Sequence, residues 1–348
     1  MKSNRSWRYI LFLWVLILSV YSIRSVQATQ NRSNGALYKE PITIGVAPWP
    51  GYLALYVANG KGYFKEEGLD VRIKNYPGLA ELSKDYVAGK LQGRANLTLD
   101  AVNEYLSGLD HKIVFAIDYS NGSDAIIAGK GISSIKDLKG KRVGYEIGTL
   151  EEFFLTWALT KNELQLSDIT GISATPEETI NLLKDGQVDV GVSYEPFISK
   201  LISPGGEFHV IYSSANAPGL ITDILTFRTD FIEAHPETVQ AIVNAYSKAL
   251  NFWKENPGEA CAIVAKAIGD TPEGIARQLK GIKVLDERDN ESAFTFSTGL
   301  QSLYGNLRQI EKFLRTQKKS NLHPLDTDKL VDRRFAKELN VKYSRKAV

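Results

Sequence analysis

Residues 42–71 read ITIGVAPWPGYLALYVANGKGYFKEEGLDV, and this stretch decides the fold that we expect. Branched residues alternate with small ones at its start, as in a strand that is buried on both faces (Ile42, Ile44 and Val46). A helix is predicted from Tyr52 to Gly60, and a second strand around residues 69–73. Two strands joined by a helix form a βαβ unit, so we expect a parallel sheet with a right-handed crossover.

A secretory leader precedes this unit. Basic residues stand ahead of an apolar run from Tyr9 to Ile23, and Val26-Gln27-Ala28 has the small-residue pattern of a cleavage site. This pattern predicts a signal peptide over residues 1–28. An uncleaved anchor is the alternative, but about 15 apolar residues are fewer than the roughly 20 that a spanning helix needs. We therefore expect a periplasmic protein, which is tethered to the membrane if the leader is retained.

Charge and cysteine content exclude several classes of protein. The leader carries four of the 42 Lys and Arg residues and none of the 40 Asp and Glu residues, so its removal changes the formal charge from +2 to −2. A nearly neutral chain lacks the basic face that nucleic acid requires. Cys261 is the single cysteine, so no intramolecular disulfide forms, and no His/Cys pair has metal-ligand spacing. We expect a monomer without a metal or a cofactor.

The rest of the chain repeats the alternation of strands and helices and then becomes mostly helical. We predict a flexible arm over residues 29–40, a discontinuous first lobe over residues 41–127 and 222–340, a second lobe over residues 128–221 and a tail over residues 341–348. Thr175-Pro-Glu-Glu178 predicts a capping box at the start of a helix, and a late helix is predicted from Phe294 to Lys319. The fold class is therefore α/β, with two lobes, two crossovers and a cleft between the lobes.

Four motifs carry a resemblance to a known family. They are PGYLALYVANGKGYFKEEGLD at 50–70, SNGSDAIIA at 120–128, DLKGKRV at 137–143 and GQVDVGVSYEP at 186–196. In this order the chain resembles, from residue 41 to about 339, the periplasmic solute-binding proteins of ABC importers. The group in question binds nitrate, taurine and aliphatic sulfonates and includes binders of thiamine precursors. The resemblance implies a type II periplasmic-binding-protein fold, hinge closure on a small solute, and permease and ATPase subunits as partners.

Candidate ligand-binding residues follow the carboxyl ends of the predicted strands, where helix amino termini offer free N–H groups. They are Trp49 and Asp100 in the first lobe, Tyr119, Ser120, Asn121 and Asp124 at the first crossing, Gly148, Thr149, Glu152, Tyr194 and Glu195 in the second lobe, and Asp223 at the second crossing. Several have a structural alternative: Trp49 as a packed turn residue, Asp100 as a helix cap, Asp124 as a brace for the hinge and Glu152 as a complement to the helix dipole.

Acidic residues dominate this set, and no Lys or Arg lies in the same loops. Carboxylates that face nitrate or sulfate without a cation would be strongly unfavourable in a partly dry cleft. The set therefore favours a solute with a positive or hydrogen-bond-donating end. A taurine-like or sulfonate-like zwitterion and an amine-bearing heterocycle such as a pyrimidine both fit, with Thr149 near any anionic end.

Two other functions remain open. Pyrimidine-precursor synthases and menaquinone-pathway enzymes share this fold, but the four histidines avoid the strand ends and Cys261 is isolated, so we expect no catalysis. A solute-sensing ectodomain is the third reading, and it gains weight if the leader is retained.

Overall fold

The computed structural model describes residues 36–203, 205–317 and 322–344, so the predicted signal peptide lies outside the described residues. Within these ranges the strands are β1 (Ile42–Val46), β2 (Val71–Asn75), β3 (Gly93–Leu97), β4 (His111–Ser120), β5 (Asp124–Ala128), β6 (Arg142–Tyr145), β7 (Thr170–Ser173), β8 (Val190–Tyr194), β9 (His209–Ser213), β10 (Thr222–Arg228) and β11 (Ile282–Val284).

The α-helices of the same ranges are α1 (Leu53–Lys61), α2 (Tyr63–Glu66), α3 (Leu79–Val87), α4 (Thr98–Leu106), α5 (Leu150–Lys161), α6 (Pro176–Lys184), α7 (Phe197–Leu201), α8 (Thr229–Ala234), α9 (Pro236–Glu255), α10 (Pro257–Ile268), α11 (Pro272–Gln278), α12 (Glu287–Ala293), α13 (Leu303–Gln317), α14 (Thr327–Leu330) and α15 (Arg334–Ser344). None of these helices is both long enough and apolar enough to cross a membrane.

The first lobe is built on a sheet with the strand order β11-β4-β10-β3-β1-β2. Strand β1 pairs in parallel with β2 and with β3, which confirms the predicted βαβ unit. Strand β10 lies between β3 and β4 and is antiparallel to both. The returning chain therefore completes the middle of this sheet.

The second lobe is built on a sheet with the order β7-β6-β8-β5-β9. The chain leaves the first sheet after β4 and comes back with β10, so the two predicted crossovers are confirmed. Strand β5 pairs with β8 and β9 of the second sheet. The first crossing thus lies at residues 121–123, ahead of the boundary expected at residue 127, because Asp124 already begins a second-lobe strand. The division into domains otherwise stays a prediction.

Local sequence signals account for many helix ends. The capping box at Thr175 is confirmed, since its hydroxyl accepts from the Glu178 amide and the Glu178 carboxylate accepts from the Thr175 amide. The helix expected from Phe294 was placed too early, because α13 begins at Leu303. The intervening residues are rich in Ser, Thr and Gly, which favour turns over helix interiors.

One of the apolar clusters is shared by the two lobes. It joins residues of the first lobe, such as Val102 and Leu307, with Val143 and Phe154 of the second. At its edge the rings of Phe153 and Phe313 have centroids 5.2 Å apart. Helix α13 of the first lobe therefore packs against helix α5 of the second.

Candidate functional site

The candidate site lies where the two sheets face each other. Strands β1, β3 and β4 end at this edge of the first sheet and β10 begins there, while β6 and β8 end and β5 begins at the facing edge of the second. Parallel strands bring their carboxyl ends to one edge of a sheet, and ligands of α/β proteins bind in the crevice outside those ends.

Asp118 and Asp223 form the centre of the site. They are neighbours across β4 and β10, and both are buried. Tyr52 donates a hydrogen bond of 2.5 Å to Asp223 Oδ1. Burial raises the pKa of Asp223 to about 7. Burial and the adjacent charge of Asp223 raise the pKa of Asp118 well above its usual range. Two carboxyl groups this close share a proton readily and resist ionising together.

Trp49 covers Asp118 from the turn that follows β1. Its indole Nε1 donates to Asp118, 3.3 Å from Oδ2, and its ring is partly exposed. Gly51 permits this approach, because a β-carbon there would overlap Asp118 Oδ2 and Trp49 Nε1. The Trp-Pro-Gly turn therefore covers the acidic pair.

Replacing Gly51 by alanine is expected to lower the free energy of unfolding by about 1–3 kcal/mol, because the added carbon must displace the buried Asp118 carboxylate and the Trp49 indole. Denaturant unfolding measures the change. Gly258→Ala is the matched control, since a β-carbon on that helical glycine meets nothing within 4 Å. Equal stability of the two variants would contradict the close approach described for Gly51.

Asp124 lies at the hinge between the lobes, at the start of β5. It is buried, and burial raises its pKa to about 7, while a hydrogen bond with Ser120 opposes this rise. The Ser120 hydroxyl also lies 2.7 Å from the hydroxyl of Ser214. Ser214 in turn accepts from the amide of Gly122, so two serines hold the first crossing against the second.

Asp100 lies in the first turn of α4, directly after β3. It is partly exposed, but its Oδ2 atom is buried and has no hydrogen-bond partner among the described residues. Burial raises its pKa to about 6, and the nearby charge of Arg94 opposes this rise. Arg94 itself is fully buried and forms an ion pair with Glu104. Asp100 therefore has an unused acceptor, and the neighbouring cation is engaged elsewhere.

The start of α5 differs from the expected anion site. Glu152 accepts a 2.7 Å hydrogen bond from the Gly148 amide and a second bond from the side chain of Gln317 in α13. The Thr149 hydroxyl lies 2.7 Å from the Glu146 carbonyl and within hydrogen-bond distance of the Glu151 carboxylate. Protein carboxylates thus occupy the donors that were predicted to face a ligand.

The remaining predicted residues lie at the margins of the site. Tyr194 ends β8 opposite Asp124, and its ring is partly exposed. The Tyr119 hydroxyl accepts from Gln301 at 3.4 Å, and Asn121 is exposed in the turn between β4 and β5. Glu195 accepts from the amide and the hydroxyl of Ser199, at the start of α7. Glu195 therefore caps a helix and is set apart from the buried acids.

Sequence reasoning missed three members of this site: Asp118, Tyr52 and Glu151. Glu151 is buried, and burial raises its pKa, although a hydrogen bond from Thr149 opposes this. Asp118 had a readable signal, because it is the one acid within the apolar strand of residues 113–118. An ionisable residue inside a buried strand is rare unless it is paired or functional.

Comparisons with known proteins find binding proteins among the similar sequences. A family profile described as NMT1/THI5 like matches residues 49–260. A protein of Brucella abortus named as a binding protein is 25% identical over 256 residues, which cover 72% of this chain and 78% of that protein. A protein of Bacillus subtilis named for binding aliphatic sulfonates is 25% identical over 242 residues, which cover 67% of this chain and 72% of that protein.

More distant similarities include an enzyme and a solved structure. The 4-amino-5-hydroxymethyl-2-methylpyrimidine phosphate synthase of Saccharomyces cerevisiae is 20% identical over 227 residues, which cover 61% of this chain and 66% of the enzyme. The periplasmic aliphatic sulphonate binding protein SsuA of Escherichia coli has a similar structure, with a TM-score of 0.69 at 14% identity, over 85% of this chain and 93% of that one. This likeness confirms the predicted two-lobed fold.

Proposed function

Since this chain belongs to the NMT1/THI5-like family, we propose that it is the substrate-binding component of an ABC importer and that it captures a small amine-bearing solute. The observation that carries the choice of solute is the buried pair Asp118 and Asp223, which lies beneath Trp49 in the cleft. The protein delivers the solute to permease and ATPase subunits at the membrane. Its periplasmic location rests on the leader predicted from the sequence.

The charges of the cleft support a solute that brings a cation or strong hydrogen-bond donors. Asp100, Asp118, Asp124, Glu151 and Asp223 each have a raised pKa, with burial as the main cause. Each of these groups is costly to ionise in the empty cleft. An ammonium or amidine group would restore the balance, because an opposite charge within about 4–6 Å favours the ionised carboxylate.

Aromatic groups around the acids favour a ligand with a flat or compact cationic end. Trp49 and Tyr194 are both partly exposed, one on each lobe. A cation placed near an aromatic face gains about 0.5–2 kcal/mol. An aminopyrimidine stacks on such a face, and a taurine-like ammonium packs beside it. Both ligand classes expected from the sequence therefore remain within the proposal, whereas a bare anion such as nitrate does not.

The positions of His111 and Cys261 support a binding protein without catalytic activity. His111 starts β4, at the end opposite to the cleft, and burial lowers its pKa to about 3. Its Nε2 lies 3.0 Å from the Ala101 carbonyl. Cys261 is buried in α10. Within the described ranges, no three His, Cys, Asp or Glu side chains are arranged to hold a metal ion.

Native mass spectrometry of the freshly purified protein tests the proposal, because a solute held by lobe closure can survive purification. We expect a co-purified small molecule with an amine or amidine group and an unaltered mass. Calorimetric titration with taurine, an aminopyrimidine, ethylamine and nitrate then ranks the classes. Tight binding of nitrate without binding of any amine would contradict the proposal. A chemically converted ligand would favour the alternative that the protein is an enzyme.

A further inference from the structure

A cavity lies between the lobes, beside the turn that forms the first crossing. It has a volume of about 760 Å³ and includes none of the buried acids of the cleft. Its wall in the first lobe comes from the end of α11 and the residues before β11, and its wall in the second lobe comes from the start of α7. Asn121, Gly122 and Ser123 of the crossing form its floor.

This hinge groove has a lining of its own, although it adjoins the acidic site along the chain. Glu195 and Ser123 line the groove, whereas their chain neighbours Tyr194 and Asp124 belong to the cleft. The Ser123 hydroxyl donates to the Gly281 carbonyl, and the Glu195 carboxylate accepts from Ser199. Both side chains therefore bond to other residues of the groove lining.

Cations from both lobes line the hinge groove. Lys200 comes from α7 of the second lobe, whereas Arg277 and Lys280 come from the first. All three are exposed, and in the described part of the chain none of them forms an ion pair. Glu195 is the one acidic residue that lines the groove, and its carboxylate already accepts two hydrogen bonds from Ser199. The groove thus carries an excess of positive charge.

We propose that the hinge groove binds an oxyanion group, such as a sulfate or a sulfonate, and that the anion holds the two lobes in their present arrangement. Like charges that face each other from two lobes repel, and an anion between them replaces repulsion by attraction. Guanidinium and ammonium groups are the usual partners of such oxyanions, and Arg277 offers a two-pronged donor. The proposal does not depend on which solute the cleft captures.

Titration with inorganic sulfate tests the site without any amine present. Sodium sulfate and sodium chloride are compared at equal ionic strength, and the melting temperature and the heat of binding are recorded. We expect saturable stabilisation of the wild-type protein by sulfate. In the Lys200→Gln/Arg277→Gln variant the apparent Kd is expected to rise about tenfold, because two exposed charge contacts are lost. A parallel titration with sodium ethanesulfonate shows whether the groove also binds a sulfonate group that is attached to a carbon chain.

Lys84→Gln/Lys139→Gln is the matched control, since it removes two exposed charges, one from each lobe, that lie outside the groove. This control should bind sulfate like the wild type. Sulfate also stabilises proteins by exclusion from their surface, an effect that does not saturate. The proposal would be overturned by a melting temperature that rises linearly with sulfate and equally in all three proteins. Saturable sulfate binding that persists in Lys200→Gln/Arg277→Gln would also overturn it. Neither outcome bears on amine binding in the cleft.

Discussion

Asp118→Asn is expected to weaken amine binding about a hundredfold and, at the same time, to stabilise the empty protein at neutral pH. Removing one partner of a buried charge contact costs about 2–5 kcal/mol, and 1.4 kcal/mol corresponds to a factor of ten in Kd. Asparagine keeps the shape of the side chain and an acceptor for Trp49 Nε1. It also removes the repulsion between Asp118 and Asp223, so the empty fold gains stability while the solute loses its counter-charge.

Calorimetric titration and thermal unfolding of the same preparation measure the two effects. Asp328→Asn is the control, because it removes an exposed carboxylate far along the chain from the cleft strands. That variant should bind like the wild type and melt within a few degrees of it. If Asp118→Asn leaves the affinity for the amine unchanged, Asp118 is not part of the binding site. If the variant is less stable than the wild type, the acid pair does not destabilise the ligand-free protein.

The empty protein is also expected to lose stability as the pH rises from 5 to 8. Asp124 and Asp223 have a pKa of about 7 in the folded protein, against about 4 in an unfolded chain. In this window these two acids hold more protons in the folded than in the unfolded state, so their contribution to the free energy of unfolding falls with rising pH. His111, whose pKa is lowered, has the opposite effect below about pH 6.5 and offsets part of this fall. For one such carboxyl the full loss is on the order of 4 kcal/mol, of which roughly two thirds falls between pH 5 and 8, and because the acids interact their losses do not simply add.

Surface carboxylates that form ion pairs change the stability with pH in the opposite direction, and they act at lower pH. The pKa of Asp189 is lowered, chiefly by hydrogen bonding to Arg142, so its contribution is present above about pH 4 and disappears below it. A saturating amine should flatten the decline between pH 5 and 8, because it stabilises the ionised acids. Chemical denaturation at several pH values measures both curves. Stability that stays constant or rises over this range would contradict the raised pKa values.

Local patterns predicted the elements of this fold well. The strand of Ile42 and the capping box at Thr175 were predictable because neighbours within a few residues determine them. Strand β9 was not predicted, because its residues are largely exposed or half-buried and show little apolar alternation. The late helix was placed nine residues too early, at Phe294, whereas α13 begins at Leu303 after a segment rich in Ser, Thr and Gly.

The site was only partly predictable. Acidic residues at the edge of the predicted sheet, such as Asp100 and Asp223, were singled out because the edge of an α/β sheet is where ligands bind. Asp118 was missed because it lies inside β4, and only the cross-strand pairing with β10 brings it next to Asp223. The expected contact of Thr149 with a ligand stays a prediction, and sequence alone does not reveal that Glu151 and Glu152 fold back onto the start of α5.

The position of β10 has a consequence for the order in which the protein can fold. Strands β3 and β4 do not pair with each other, and the strand that joins them begins at Thr222, about a hundred residues after β4 ends. An emerging chain therefore has two unpaired strand edges until the whole second lobe has been synthesised, and such edges invite aggregation. Late completion would suit the export that the leader predicted over residues 1–28 implies, since distant strand pairing slows folding.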